Sequence, residues 1–378
     1  MIRLRAIAIA ALTLTLTACV KPTSQAPTVD ASLAAAEAEK QRELVFEATV
    51  RDTLRLSTVS YFVRTRSAEL CGEQVAPVTG INATTLAEFD AEYKGAAARL
   101  YGVGDDVQFI SIVPGSAADR AGLQPGDKLV QIAGWPVPAG KGAMAAAVEQ
   151  FDAIAVAGSP LAFTVRRGGQ TLSYDVVPEA ACDYPVLLDK QNIVNAFADG
   201  NRIYITRGML RFVDNPGELA TVVAHELAHN MMGHRTAKET NMVAGAGVGL
   251  IFDILAAVAG VNTGGDFMRI GAEAGAGAFS QDFEAEADYV GVYLMARGGY
   301  DIGLAPNFWR RMAVIHPASI QTNHSSTHPS TPERFVALES AVGEIRAKLN
   351  AGQPLVPEVA VDADDGGAQS QPSTFRPE

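Results

Sequence analysis

Two histidines four residues apart, with a glutamate after the first, give this chain its most specific chemistry: His225-Glu226-Leu227-Ala228-His229. On a helix that spacing puts both imidazoles on one face, a turn apart, where they can share one metal ion. Glu226 is then placed to take a proton from a water that the metal activates. The neighbours Val222, Val223, Ala224, Leu227 and Ala228 are apolar, and burying two imidazoles and a carboxylate among them without partners would be costly. Two histidines need at least one more protein ligand, and Phe283-Glu284-Ala285-Glu286-Ala287-Asp288 offers it. On a helix Glu284 and Asp288 share a face while Glu286 points elsewhere. Glu284 therefore reads as the third ligand, and Asp288 as the acceptor that orients a ligand histidine. His225, His229 and Glu284 together predict one zinc ion per chain. His234 lies beyond the motif without the extended three-histidine signature, and reads as a helix-end or surface residue.

The elements that must position these residues begin after an export segment. Met1 to Arg5 is short and basic, Ala6–Leu16 is apolar, and Leu16-Thr17-Ala18-Cys19 closes the run with small residues. Residues 1–18 read as a lipoprotein signal peptide, too short and too polar in its sequel for a transmembrane anchor. Cys19 becomes the lipidated first residue, and Val20 after it resembles the outer-membrane sorting pattern of Gram-negative bacteria. The expected location is the periplasmic face of the outer membrane, held through the lipid anchor at Cys19. A net charge of -12 argues against nucleic acid as a partner and supplies no basic patch for anionic lipid. Cys71 and Cys182, an even pair in an oxidising compartment, read as one possible disulfide.

Residues 19–30, rich in Thr, Ser and Pro, read as a tether, and helical periodicity runs from Asp30 to about Tyr61. Residues 99–178 change character. Val107–Val113 reads as a strand, Pro114-Gly115-Ser116 as a turn, and Lys128–Ile132 as a second strand. A helix around Ala143–Ala155 precedes two strands joined through Gly168-Gly169. Together they resemble a PDZ domain, most specifically between Val113 and Gly134. That resemblance implies a groove in which a C-terminal peptide adds a strand, with Tyr101-Gly102-Val103-Gly104 as the carboxylate loop. Asn201–Thr206 reads as an exposed strand leading towards the motif helix. Residues 241–262 are apolar and rich in glycine, with core packing, a lid or a membrane-leaning surface as alternatives. Residues 351–378 read as a disordered tail.

Val222–His229, Glu284–Asp288, and His328-Pro329 with Glu333-Arg334 resemble the HtpX/BepA-like zinc metallopeptidases, which are related to the CAAX prenyl proteases. Val194–Ala198 and Ile203–Gly208 also look like the stretch that family carries before its zinc helix. The resemblance implies an α+β fold: a mostly helical, zincin-like domain with a small edge-exposed sheet, plus the β-rich PDZ-like domain. Residues 31–98 then form the N-terminal part of the peptidase domain and 179–350 its catalytic part. His225, His229 and Glu284 hold zinc, Glu226 is the general base, and Asp288 supports the site. His328 approaches the metal from a regulatory loop, and His328 or Arg334 can donate to the oxyanion. The implied function is a zinc endopeptidase acting on unfolded or misassembled cell-envelope proteins. The competing reading is a lipid-anchored peptide-binding protein or chaperone with a structural or self-closed zinc site. Glu226 speaks against it, and His328, as a fourth ligand, keeps it open.

Overall fold

The computed structural model describes residues 24, 26–258, 263–277, 280–315, 317 and 332–358. The signal segment, Cys19, the histidines at 316, 324 and 328, and the tail from residue 359 lie outside the described residues. Asp30 accepts hydrogen bonds from the backbone N–H groups of Ser32 and Leu33 and so starts a helix of 36 residues, Ala31–Arg66. This long helix serves two cores. Leu56, Val59 and Val63 are buried with the motif helix, whereas Phe46 packs with Ala96, Ala97 and Val103.

Next comes a sheet in which Ile81–Thr84, Gln108–Ile112, Lys128–Ile132, Leu161–Arg167 and Gln170–Val176 lie side by side in that order. All of these pairings are antiparallel, and the edge strand Ile81–Thr84 comes from before residue 99. The last two strands turn through Gly168 and Gly169, both at positive φ, as a two-residue hairpin turn of this twist requires. Val107, Phe109, Ile132, Phe163 and Val165 fill the core beneath helix Ala143–Ile154. Val75–Val78 pairs with Glu179–Cys182 where the chain enters and leaves this unit, and a disulfide joins Cys71 to Cys182 there.

The catalytic part has its own three-stranded sheet, ordered Ala196–Ala198, Ile203–Thr206, Val186–Asp189. The strand expected to be exposed is thus the central one: Ile203 and Ile205 are fully buried, and the edges of this sheet are Ala196–Ala198 and Val186–Asp189. Alternating apolar residues mark a strand but do not say how many of its edges are paired. Behind this sheet pack the motif helix Pro216–Met231, a helix Ser280–Arg297 that carries the carboxylates, and helices Leu304–Ile315 and Pro332–Asn350. The fold is α+β and mostly helical, with small open sheets.

Residues 241–256 do not join a core. Helices His234–Val258 and Asp266–Gly277 form a hairpin closed by glycine contacts: a Cβ on Gly249 would meet the Phe267 carbonyl oxygen at 2.0 Å. Asp253 caps the second helix through the N–H groups of Phe267 and Met268. Val243, Val248, Ile251, Phe252, Ile254 and Leu255 remain exposed. By length and composition alone, His234–Ala256 is apolar enough to cross a membrane.

Candidate metal centre

The motif helix starts with little ambiguity. Asn215 accepts a hydrogen bond from the Glu218 N–H, Pro216 fills the first turn, and Glu218 reaches back to the Asp214 N–H. Each choice satisfies or dispenses with a backbone donor that a helix start leaves open. Every residue from Gly217 to Met231 is buried, which fixes the rotation of the helix and hence the direction of its imidazoles. The carboxylate helix crosses it closely at Gly291, where an added Cβ would come within 3.2 Å of the His225 Cα.

That approach brings three buried donors together. His225 Nε2 lies 3.1 Å from His229 Nε2, and each lies 3.4 Å from an oxygen of Glu284. Tetrahedral zinc, with bonds of roughly 2.0–2.2 Å, holds its donors about 3.3–3.5 Å apart. The spacing and the two-nitrogen, one-oxygen chemistry fit that ion. Glu226 follows His225 on the same helix and is also buried.

A second layer fixes each ligand. His225 Nδ1 lies 3.0 Å from an Asp288 oxygen, and Arg334 grips Asp288 with two hydrogen bonds of 2.8 and 2.9 Å. Burial alone would raise the Asp288 pKa, but the Arg334 charge and the His225 contact hold it below the usual carboxylate range. For His225 burial pushes downward, yet Asp288 and Glu284 outweigh it and lift its pKa to about 9 in the metal-free chain. The Arg334 guanidinium also sits 3.3 Å from Glu284 and over the Trp309 ring, whose edge meets His225. The sequence offered Arg334 as an oxyanion donor; here its guanidinium is engaged with Asp288 and with the ligand candidate Glu284. His328, the other candidate donor, lies outside the described residues.

The sequence reading gave neither His234, which does stand at a helix end, nor Asn230 a role at the site. His234 is buried rather than on the surface, with its Nδ1 2.8 Å from His229 Nδ1. Its Nε2 lies 2.8 Å from Glu286. With His229 Nε2 facing the other ligands, its Nδ1–H donates to His234, and His234 donates in turn to Glu286. Glu286 does point away from the ligand cluster, and that direction leads to His234. Asn230 ties the motif helix to the sheet by accepting from the Gly200 N–H and donating to the Arg202 carbonyl.

Residues 176–342 match the model of peptidase family M48. Residues 109–150 match that of a PDZ domain. The chain thus carries an M48-type metallopeptidase fold with a PDZ domain beside it. It is 31% identical over 160 residues to the mitochondrial metalloendopeptidase OMA1 of Arabidopsis thaliana, a match covering 42% of this chain and 31% of that protein. The beta-barrel assembly-enhancing protease of Yersinia pestis is 34% identical over 168 residues, covering 43% and 33%. Its namesake in Escherichia coli (strain K12) is 28% identical over 176 residues, covering 45% and 35%. The chain spans about a third of the length of these relatives. Among solved structures, the HtrA3 PDZ domain bound to a phage-derived ligand aligns at 22% identity with a TM-score of 0.22, covering 28% of this chain and 88% of that one.

The PDZ unit contains a cavity of about 600 Å³ between strand Ile81–Thr84, helix Ala143–Ile154 and the long first helix. The Val78-Thr79-Gly80 turn is among its lining, and the Tyr101–Gly104 stretch expected as the carboxylate loop is not. Gly102 instead caps helix Ala91–Tyr101 in the left-handed conformation, and Val103 is buried against Phe46. The glycine signal was genuine, but it served a helix end.

Proposed function

We propose that this chain is a zinc-dependent endopeptidase that hydrolyses peptide bonds of unfolded or misassembled cell-envelope proteins. The observation that carries the reading is the donor set His225, His229 and Glu284 at zinc spacing, with Glu226 next in sequence to the first ligand. When bound there, zinc supplies a Lewis acid that polarises the scissile carbonyl and acidifies water. Glu226 accepts the proton of the attacking water and delivers it to the leaving amine. Asp288 and His234 hold the two imidazoles so that only their Nε2 atoms face the metal. The open edge at Ala196–Ala198 offers backbone groups to an extended substrate, and the PDZ domain receives chain ends. Similarity to beta-barrel assembly-enhancing proteases supports an envelope setting, with attachment through the lipid anchor at Cys19 on the periplasmic face of the outer membrane.

The test is metal dependence on an unfolded protein substrate. Purified full-length chain is expected to hold one zinc, to lose cleavage after chelation and to regain it when zinc is returned. Unchanged cleavage by protein shown to be metal-free would overturn the proposal.

A further inference from the structure

In the hairpin of helices His234–Val258 and Asp266–Gly277 the charged and apolar residues are sorted onto opposite sides. The charged residues of the first helix, Arg235, Lys238 and Glu239, all precede residue 241, apart from Asp253. Asp253 is turned inward, where its carboxylate accepts from the Thr263 hydroxyl and from the N–H groups of Phe267 and Met268. Between residues 241 and 256 no charged side chain is therefore exposed. A stripe through Gly245, Gly249 and Asp253 meets the second helix. The helical period spreads the exposed apolar residues over the remaining sides: Val243, Leu250 and Ile254 on one flank, Ile251 and Leu255 behind, Val248 and Phe252 on the other flank. A helix resting on a protein core carries one apolar stripe; this one is apolar on three sides.

The second helix is built differently. Asp266, Arg269 and Glu273 are exposed and joined by ion pairs of 3.5 and 2.9 Å. Their spacing puts them on the face turned away from Gly271, which touches the first helix. Phe267, Met268 and Ile270 flank that contact and are also exposed. The hairpin thus has an apolar layer on one side and a row of ions on the other. Small residues at the crossing let the two backbones approach closely, as in helix pairs that associate among lipid chains.

We propose that this hairpin lies in the interfacial plane of a bilayer of zwitterionic phospholipid, with its first helix sunk among the acyl chains and the ion row of the second facing water. Residues 241–256 make about 24 Å of helix, short of the roughly 30 Å hydrocarbon layer. Three exposed charges on the second helix would also be costly inside that layer, so the hairpin occupies one leaflet and does not cross. A protein partner covers one side of a helix, whereas acyl chains cover three. With a net charge of -12 and no basic row on the apolar face, the attraction is apolar and independent of salt. The first helix begins at His234, which holds the ligand histidine His229, so docking sets the metal centre beside the lipid surface. Lipid docking itself depends neither on the peptidase reading nor on acylation of Cys19.

The test uses the zinc-loaded chain from residue 19 onward with Cys19→Ser, so that no acyl chain contributes, floated with phosphatidylcholine vesicles. This parent is expected to float equally at low and high salt. Ile251→Glu combined with Leu255→Glu, both at exposed positions, should lower the bound fraction about tenfold or more while zinc content stays as in the parent. Glu273→Gln, on the water-facing row, should float like the parent. For orientation, Ile251→Trp should be quenched by lipid brominated along its acyl chains, and Arg269→Trp should not. A parent that does not float, or a double glutamate variant that floats undiminished, overturns the proposal. Equal quenching at 251 and 269 overturns the in-plane arrangement. A parent that stays off the vesicles but sediments as a dimer, which the double variant dissociates, assigns the surface to a second copy of the chain and likewise overturns it.

Discussion

At the scale of single residues, both ligand histidines are anchored through the nitrogen that does not face the other ligands, but by different partners. His225 leans on Asp288, which Arg334 holds in turn; His229 leans on His234, which Glu286 holds. Removing such a partner typically costs 10–100-fold in metal affinity. His234→Ala is therefore expected to weaken zinc binding by roughly that factor while the chain stays folded, as competition with a chromophoric chelator would measure. Unchanged affinity would reduce His234 to a packing residue. The spacing of His225, His229, Glu284 and Asp288 was legible because each pair lies within one helix, where a period of 3.6 residues fixes direction. His234 was not legible, because Gly233 at φ 64 breaks the helix between it and His229. No periodicity carries across such a turn.

At the scale of elements, the centre depends on how closely two helices cross. Gly291 permits the contact that puts Glu284 beside both histidines, since a Cβ there would lie 3.2 Å from the His225 backbone. Gly291→Ala should force the helices apart, costing about 1–3 kcal/mol and lowering zinc affinity at the same time. Thermal unfolding and chelator competition would check both effects, and a variant as stable and as zinc-tight as the parent would contradict this account. Elements as such were readable from the sequence, but their neighbours were not. Ile203–Thr206 was recognised as a strand, yet its place between two others is a property of pairing, which alternation of apolar residues does not encode.

At the scale of the whole molecule, the long first helix joins the two units. It buries Leu56, Val59 and Val63 in the catalytic core and lines the PDZ cavity with the same turns. The disulfide between Cys71 and Cys182 closes 111 residues of chain at the base of that insertion. Such a link constrains the unfolded chain, and reducing it should lower stability by roughly 2–4 kcal/mol. Denaturant unfolding with and without reductant would measure this, and identical midpoints would show that the link contributes nothing. The exposed apolar hairpin 234–277 is the feature that sequence composition described least well. Its hydropathy resembles a core helix, and only the structure shows that nothing in the described chain covers it.

The central claim, that this centre hydrolyses peptide bonds with Glu226 as the proton carrier, is tested most directly by one paired measurement on Glu226→Gln. Zinc content and cleavage of an unfolded envelope protein are determined on the same preparation, beside the parent. The account predicts one zinc per chain, as in the parent, because Glu226 is not a ligand, together with a loss of cleavage of about 10²–10⁴-fold. Cleavage at the parent rate by the zinc-loaded variant would contradict it.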